Sequence, residues 1–186
     1  QLLPGSINVA GEALQCPALL ENVFGSHRIE GIGDKHVPWI HNVKNTDMIM
    51  AIDDNSVVNL ARLFNEPEGK KYLVKVGVPE DLVNQLDLLG FSSIANTLMA
   101  IKMAKYYEMD ENDVILTVWT DSMELYESRL QEMHEEIGEY TEMDAAQTYA
   151  MFICGITPNY LQDLTYQDQR RVHNLKYFTC VEQQGK

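Results

Sequence analysis

Two stretches of the chain hold residue types able to contact a flat or anionic ligand, Gly25 to Trp39 and Thr117 to Leu130. In the first, Gly31-Ile32-Gly33-Asp34 sets two glycines one residue apart. Such a bend lets backbone approach a ring or an anion with no Cβ in the way, although a purely structural turn has the same spelling. It is not the dinucleotide fingerprint, because no third glycine and no preceding strand fit. In the second, Thr120, Asp121 and Ser122 follow an apolar run. Asp121 has the chemistry to pair with a protonated ring nitrogen, and the hydroxyls of Thr120 and Ser122 to donate or accept a neutral hydrogen bond. Capping of the next helix by Asp121 or Ser122 is the plainer use, and it does not exclude ligand contact. Ser92 and Ser93, at a helix start after Gly90-Phe91, form an anion site in principle, with an ordinary cap as the preferred reading.

Other chemistries find less support. His36 and His41 flank Trp39 with Asp34 and Asp47 nearby, but the spacing matches no compact metal signature, and no metal is expected. None of Cys16, Cys154 and Cys180 has a base at motif spacing, and no serine lies in a GxSxG context.

The elements that must position these residues follow from periodicity. Ile7 to Ala10 is β-prone and expected to be a central strand, and Met48 to Ile52, MIMAI, reads as a buried parallel strand. A helix is expected over Ser56 to Phe64, capped by Asp54 or Asn55 and ended by Pro67 and Gly69. Further helices are expected over Glu80–Leu89, Ile94–Tyr107, Met123–Ile137, Ala145–Ile153 and Pro158–Leu175. Val114 to Val118, VILTV, has the strongest strand signal in the chain. This alternation of strands and long helices predicts an α/β fold, a parallel sheet with helices on its faces.

Composition narrows the class. The chain has 186 residues, 45% hydrophobic and 23% charged, as expected for a globular protein. With 14 Lys and Arg against 28 Asp and Glu, its formal net charge of -14 argues against nucleic acid as a partner. No apolar run long enough for a membrane span and no signal-peptide pattern occur, so no membrane association and a cytoplasmic location are expected.

Three segments together carry a family resemblance. His27 to Pro38, HRIEGIGDKHVP, resembles the HKIxGIGxGxxP loop of cysteine synthases, which belong to the tryptophan synthase β-like family dependent on pyridoxal 5'-phosphate. Gly90-Phe91-Ser92-Ser93 resembles their GISSG segment, and Thr117 to Ser128 resembles the strand and turn ending in PSSGERYLS, with Glu124, Tyr126 and Ser128 in step. The order is the family's, over roughly residues 7 to 130.

The resemblance implies pyridoxal phosphate as cofactor, with Gly31 and Gly33 near its ring and Thr120, Asp121 and Ser122 at the ring nitrogen. The family's serine at that nitrogen falls on Asp121, with Ser122 adjacent; an acidic partner would keep the nitrogen protonated and strengthen the electron sink. The family's Schiff-base lysine has no counterpart here, and Lys35 does not match it. The expectation is thus a carboxyl-terminal portion of such an enzyme. Residues 1–138 would be part of the cofactor-binding α/β domain and 139–186 a helical extension. The substrate would be an amino acid, changed by β-replacement or elimination, and the lysine would come from a companion chain or another part of an oligomer. The alternatives are a non-catalytic subunit or interaction domain that keeps the fold and, more distantly, a metal-dependent hydrolase using Asp34, His36 and His41.

Overall fold

The computed structural model describes residues 4–33 and 36–185, a mixed α/β arrangement with a three-stranded sheet. In chain order the strands and α-helices are β1 (Val9–Ala13), α1 (Ala18–Glu21), β2 (Met48–Ile52), α2 (Asp54–Asn65), α3 (Pro67–Lys75), α4 (Glu80–Val83), α5 (Phe91–Tyr106), α6 (Glu127–Ile137), α7 (Glu142–Tyr149), β3 (Leu161–Asp163) and α8 (Tyr166–Tyr177). The chain divides into two compact units: residues 1–27, 32–54 and 159–186 form the first, and residues 28–31 and 55–158 the second.

The first unit is built on β2. All five of its residues are buried, as expected for a β-branched and apolar run with ladders on both edges. β1 pairs with it in parallel, Val9 opposite Met48 through Ala13 opposite Ile52, and β3 pairs antiparallel on the other edge. The sheet is therefore mixed, with β1 at an edge of the three strands, which corrects the expected central position. The core is Leu19, Val37, Val43, Ile49 and Val172, with Leu175 packed against it. Buried Glu12 accepts the backbone N–H groups of Leu19 and Leu20, both at 2.8 Å, and so supplies a cap that α1 lacks from its own residues. Burial raises its pKa above the usual glutamate value, against the lowering effect of those bonds.

Two helices expected in this part of the chain and its neighbour differ. Residues 158–165 hold β3 in place of the first turns of the expected last helix, and α8 starts after a capping box in which Thr165 and Asp168 bond each other's backbone N–H. In the second unit Pro67 starts α3 at its first turn, where the missing N–H is no loss, so Pro67 and Gly69 open a helix rather than only ending one. Gly69 is required by close approach: a Cβ there would sit 2.2 Å from the Leu63 carbonyl oxygen.

The second unit is otherwise helical. α5 buries Phe91, Ile94, Ala95, Leu98 and Met103, and the expected helix over Glu80–Leu89 is split into α4 and a 3-10 turn at Leu86–Leu88. The strand expected at Val114–Val118 is absent. Residues 114–122 have no regular structure, and Val114 and Leu116 are about nine-tenths exposed, at 88% and 91%. A β-prone run becomes a strand only where another strand completes its ladder, and none among the described residues does. Its end is instead fastened by side chains of α5. Asn96 Nδ2 donates to the Val118 carbonyl at 2.7 Å, and Trp119 Nε1 to Thr97 Oγ1 at 3.2 Å.

Candidate functional site

The site lies in the second unit, where the start of α5 meets the segment after Val118. Gly90 is the N-cap of α5 with extended backbone, so Ser92 and Ser93 fall at the second and third helical positions rather than at the expected cap. Both are buried, at 3% and 0% exposure, which turns their hydroxyls away from solvent and toward Thr120 and Asp121. Gly90 N donates to the Asp121 carbonyl at 2.8 Å, and Ser93 Oγ donates to the same oxygen at 3.2 Å. Ser93 Oγ also accepts from Thr120 N at 3.2 Å, so one serine reads both backbone groups of the turn.

The carboxylate of Asp121 is held by hydroxyls. Ser92 Oγ donates to Oδ1 at 3.0 Å, the neighbouring Thr120 hydroxyl donates to the same oxygen, and Tyr126 OH donates to Oδ2. The Ser92 and Thr120 hydroxyls lie 2.8 Å apart. Tyr126 is fixed by its ring, which meets Phe91 edge-on with centroids 5.1 Å apart at 83°.

The electrostatics follow from this collar. Burial works to raise the Asp121 pKa, but the hydroxyls of Thr120, Tyr126 and Ser92 donate to the ionised form and hold it below the ordinary value. Tyr126 moves the opposite way. Its pKa is pushed up to about 12 by burial, by its bond to Asp121 and by the nearby negative charge. At neutral pH the pair is a carboxylate and a phenol. Asp121 thus spends its side chain on hydroxyls instead of capping the turn at Met123–Tyr126, and Ser122 stands at that turn's N-cap with no side-chain cap bond.

Gly31 reaches the same place. Its φ of +91° lies in the left-handed region that favours glycine, and a Cβ built on it would be 3.6 Å from Ser92 Cβ and Oγ. Its loop is tied down by Ile29, which is fully buried, and by an ion pair from Glu30 to Arg129 at 2.5 Å. Gly31, Ser92, Thr120 and Asp121 are therefore neighbours, so each of the three segments of the resemblance contributes to one cluster. Gly33, with φ +78°, belongs to the first unit, where a Cβ would stand 2.7 Å from Nε2 of His27. Tyr126 as a partner of Asp121 was not foreseen from sequence; its only mark there was its place in the third segment.

The remaining residues with chemical potential are dispersed. Asp34 and Lys35 lie outside the described residues, and His41 Nε2 is 3.2 Å from the Thr46 hydroxyl. Among the described residues no group of three His, Cys, Asp or Glu side chains is placed to hold a metal ion, and no helix is long and apolar enough to cross a membrane.

Comparison with known proteins adds one relative. Cysteine synthase B of Campylobacter jejuni is 30% identical over 121 residues, 64% of this chain and 33% of the relative, so the chain spans about a third of that protein's length. This match supports a cysteine synthase-like relationship. No family model matches the chain, and no solved structure matches it.

Proposed function

We propose that this chain is a carboxyl-terminal part of a pyridoxal phosphate-dependent, cysteine synthase-like enzyme that acts on an amino acid by β-replacement or elimination. The observation that carries the reading is that Ser92 and Thr120 bond the carboxylate of Asp121 while Gly31 lies against Ser92, so that each segment of the resemblance has a residue in one cluster. The residues fit the ring nitrogen of the cofactor. A protonated pyridine nitrogen requires an ionised acceptor, and the collar of hydroxyls keeps Asp121 ionised and oriented. A carboxylate offers about four lone-pair directions, so three hydroxyls leave roughly one for an N–H donor.

When bound, the cofactor supplies an electron sink for the carbanion that forms as the α-proton leaves. The chain's own part is to hold a negative charge at a fixed point and to keep a flat surface clear of side-chain carbon. Asp121 does the first, aligned by Ser92, Thr120 and Tyr126, and Gly31 does the second, with Ser122 next to Asp121 in the chain. The anchoring lysine comes from elsewhere, on a companion chain or on another part of the same protein in an oligomer. Residues 1–138 then form part of the cofactor-binding domain, and residues 139–186 an extension.

The test is the absorption spectrum of the complete enzyme with cofactor bound, followed against pH in the wild type and in Asp121→Ser. Loss of the carboxylate should lower the pKa of the ring nitrogen and displace the titration. Superimposable titrations would remove Asp121 from the ring. A second reading, a subunit that keeps the fold without chemistry, draws on the same collar, because three protein hydroxyls already occupy the carboxylate. It predicts a stable chain that leaves the spectrum of added pyridoxal phosphate unchanged both alone and in its native assembly.

A further inference from the structure

An open hollow of about 600 Å³ on the surface of the first unit is lined by Asn22, Arg170, Arg171, Asn174, Leu175 and Phe178, among others. Two adjacent arginines line it in a chain of formal net charge -14. Acids outnumber bases by 28 to 14, and Arg28, Arg62, Lys71, Lys75 and Arg129 each stand within ion-pair distance of a glutamate. Arg170 and Arg171, adjacent on α8, have no carboxylate at that distance among the described residues. Arg171 feels the field of Glu12 and of Asp168, but those carboxylates are spent on backbone N–H groups, of Leu19 and Leu20 in one case and of Thr165 in the other.

The guanidinium of Arg171 is only partly satisfied. One terminal nitrogen donates to Asn22 Oδ1 at 2.8 Å, while the other is shielded from solvent with no hydrogen-bond partner among the described residues. A buried donor left unmade is costly, and a planar fork of N–H groups is matched best by a two-oxygen anion. Arg170, largely exposed beside it, adds a second positive charge, and the amides of Asn22 and Asn174 add neutral donors at the same wall. Leu175 and Phe178 give the hollow an apolar surface.

We infer that this hollow is a binding site for a small oxyanion, a carboxylate or a phosphate carried on a compact apolar body. The two oxygens engage the guanidinium of Arg171 with a small shift of that side chain, Arg170 supplies attraction at longer range, and the body of the ligand lies against Leu175 and Phe178. This site is in the first unit and stands independently of the cofactor assignment in the second.

The experiment is a titration of the full chain with inorganic phosphate and, separately, with benzoate, followed by backbone amide NMR shifts. Saturable shifts at millimolar probe, confined to Asn22 and residues 167–178, are expected for at least one of them. Saturation by benzoate alone assigns a carboxylate on an apolar body, and by phosphate alone a phosphate group. Arg171→Lys keeps the charge but removes the fork, and should weaken binding about tenfold. Arg170→Gln alters an exposed residue, so it folds as the wild type does and should weaken binding severalfold. Lys71→Gln, in the second unit, should leave the titration unchanged. The inference is overturned if neither probe gives saturable local shifts, or if binding is the same in Arg170→Gln and Arg171→Lys as in the wild type.

Discussion

Tyr126→Phe isolates the carboxylate collar, because it removes one hydroxyl and keeps the ring that packs on Phe91. At neutral pH the variant loses a hydrogen bond to an ionised acceptor, worth about 1.5–3 kcal/mol. The rise of the Tyr126 pKa from 10.0 to about 12 points the same way, a preference for the neutral phenol to which burial contributes most and Asp121 next. The sign follows from linkage. A pKa raised in the folded state means stability that is whole below pH 10 and is lost as pH rises toward about 12. The variant has no phenol to ionise there. In urea unfolding it should be less stable than the wild type by about 2 kcal/mol at pH 7, and the gap should close as pH goes from 10 to 12. All other side chains are common to both proteins and cancel in the difference. Equal stabilities at pH 7, or curves that run parallel above pH 10, would refute the bond between Tyr126 and Asp121.

Two other substitutions test how the elements are held. Gly90→Ala puts a Cβ 2.8 Å from the Asp121 carbonyl oxygen and 3.1 Å from the Tyr126 ring, with backbone on one side that cannot yield, and should cost about 1–3 kcal/mol by thermal or urea unfolding. Glu12→Gln tests the buried cap on α1: the raised pKa of Glu12 makes its contribution whole below pH 4.5 and lost as pH rises through the folded-state value. The variant should therefore show a flatter dependence of stability on pH over that range, and an unchanged slope would show that Glu12 is not the group that titrates.

Local pattern was enough to determine several features. MIMAI is buried on both faces because an uninterrupted apolar run has no polar side to offer water. α5 follows from the spacing of Ile94 and Leu98, and the alternation of strand and helix gives the α/β class. The resemblance spread over His27–Pro38, Gly90–Ser93 and Thr117–Ser128 named the segments of the candidate site. What only the tertiary structure decided are the long-range partnerships. Val114–Val118 has a strand's composition, yet a ladder needs a second strand, and here the end of the run is bonded to side chains of α5 instead. Thr165 and Asp168 start α8 later than periodicity placed it, leaving Leu161–Asp163 to join β2 and make the sheet mixed. The same holds for Ser92, Thr120 and Tyr126 around Asp121 and for the pair of arginines beside Asn22. Each depends on hydroxyls, amides and charges that are far apart or unremarkable along the chain, and a hydrogen bond records distance in space, which spacing in sequence does not encode.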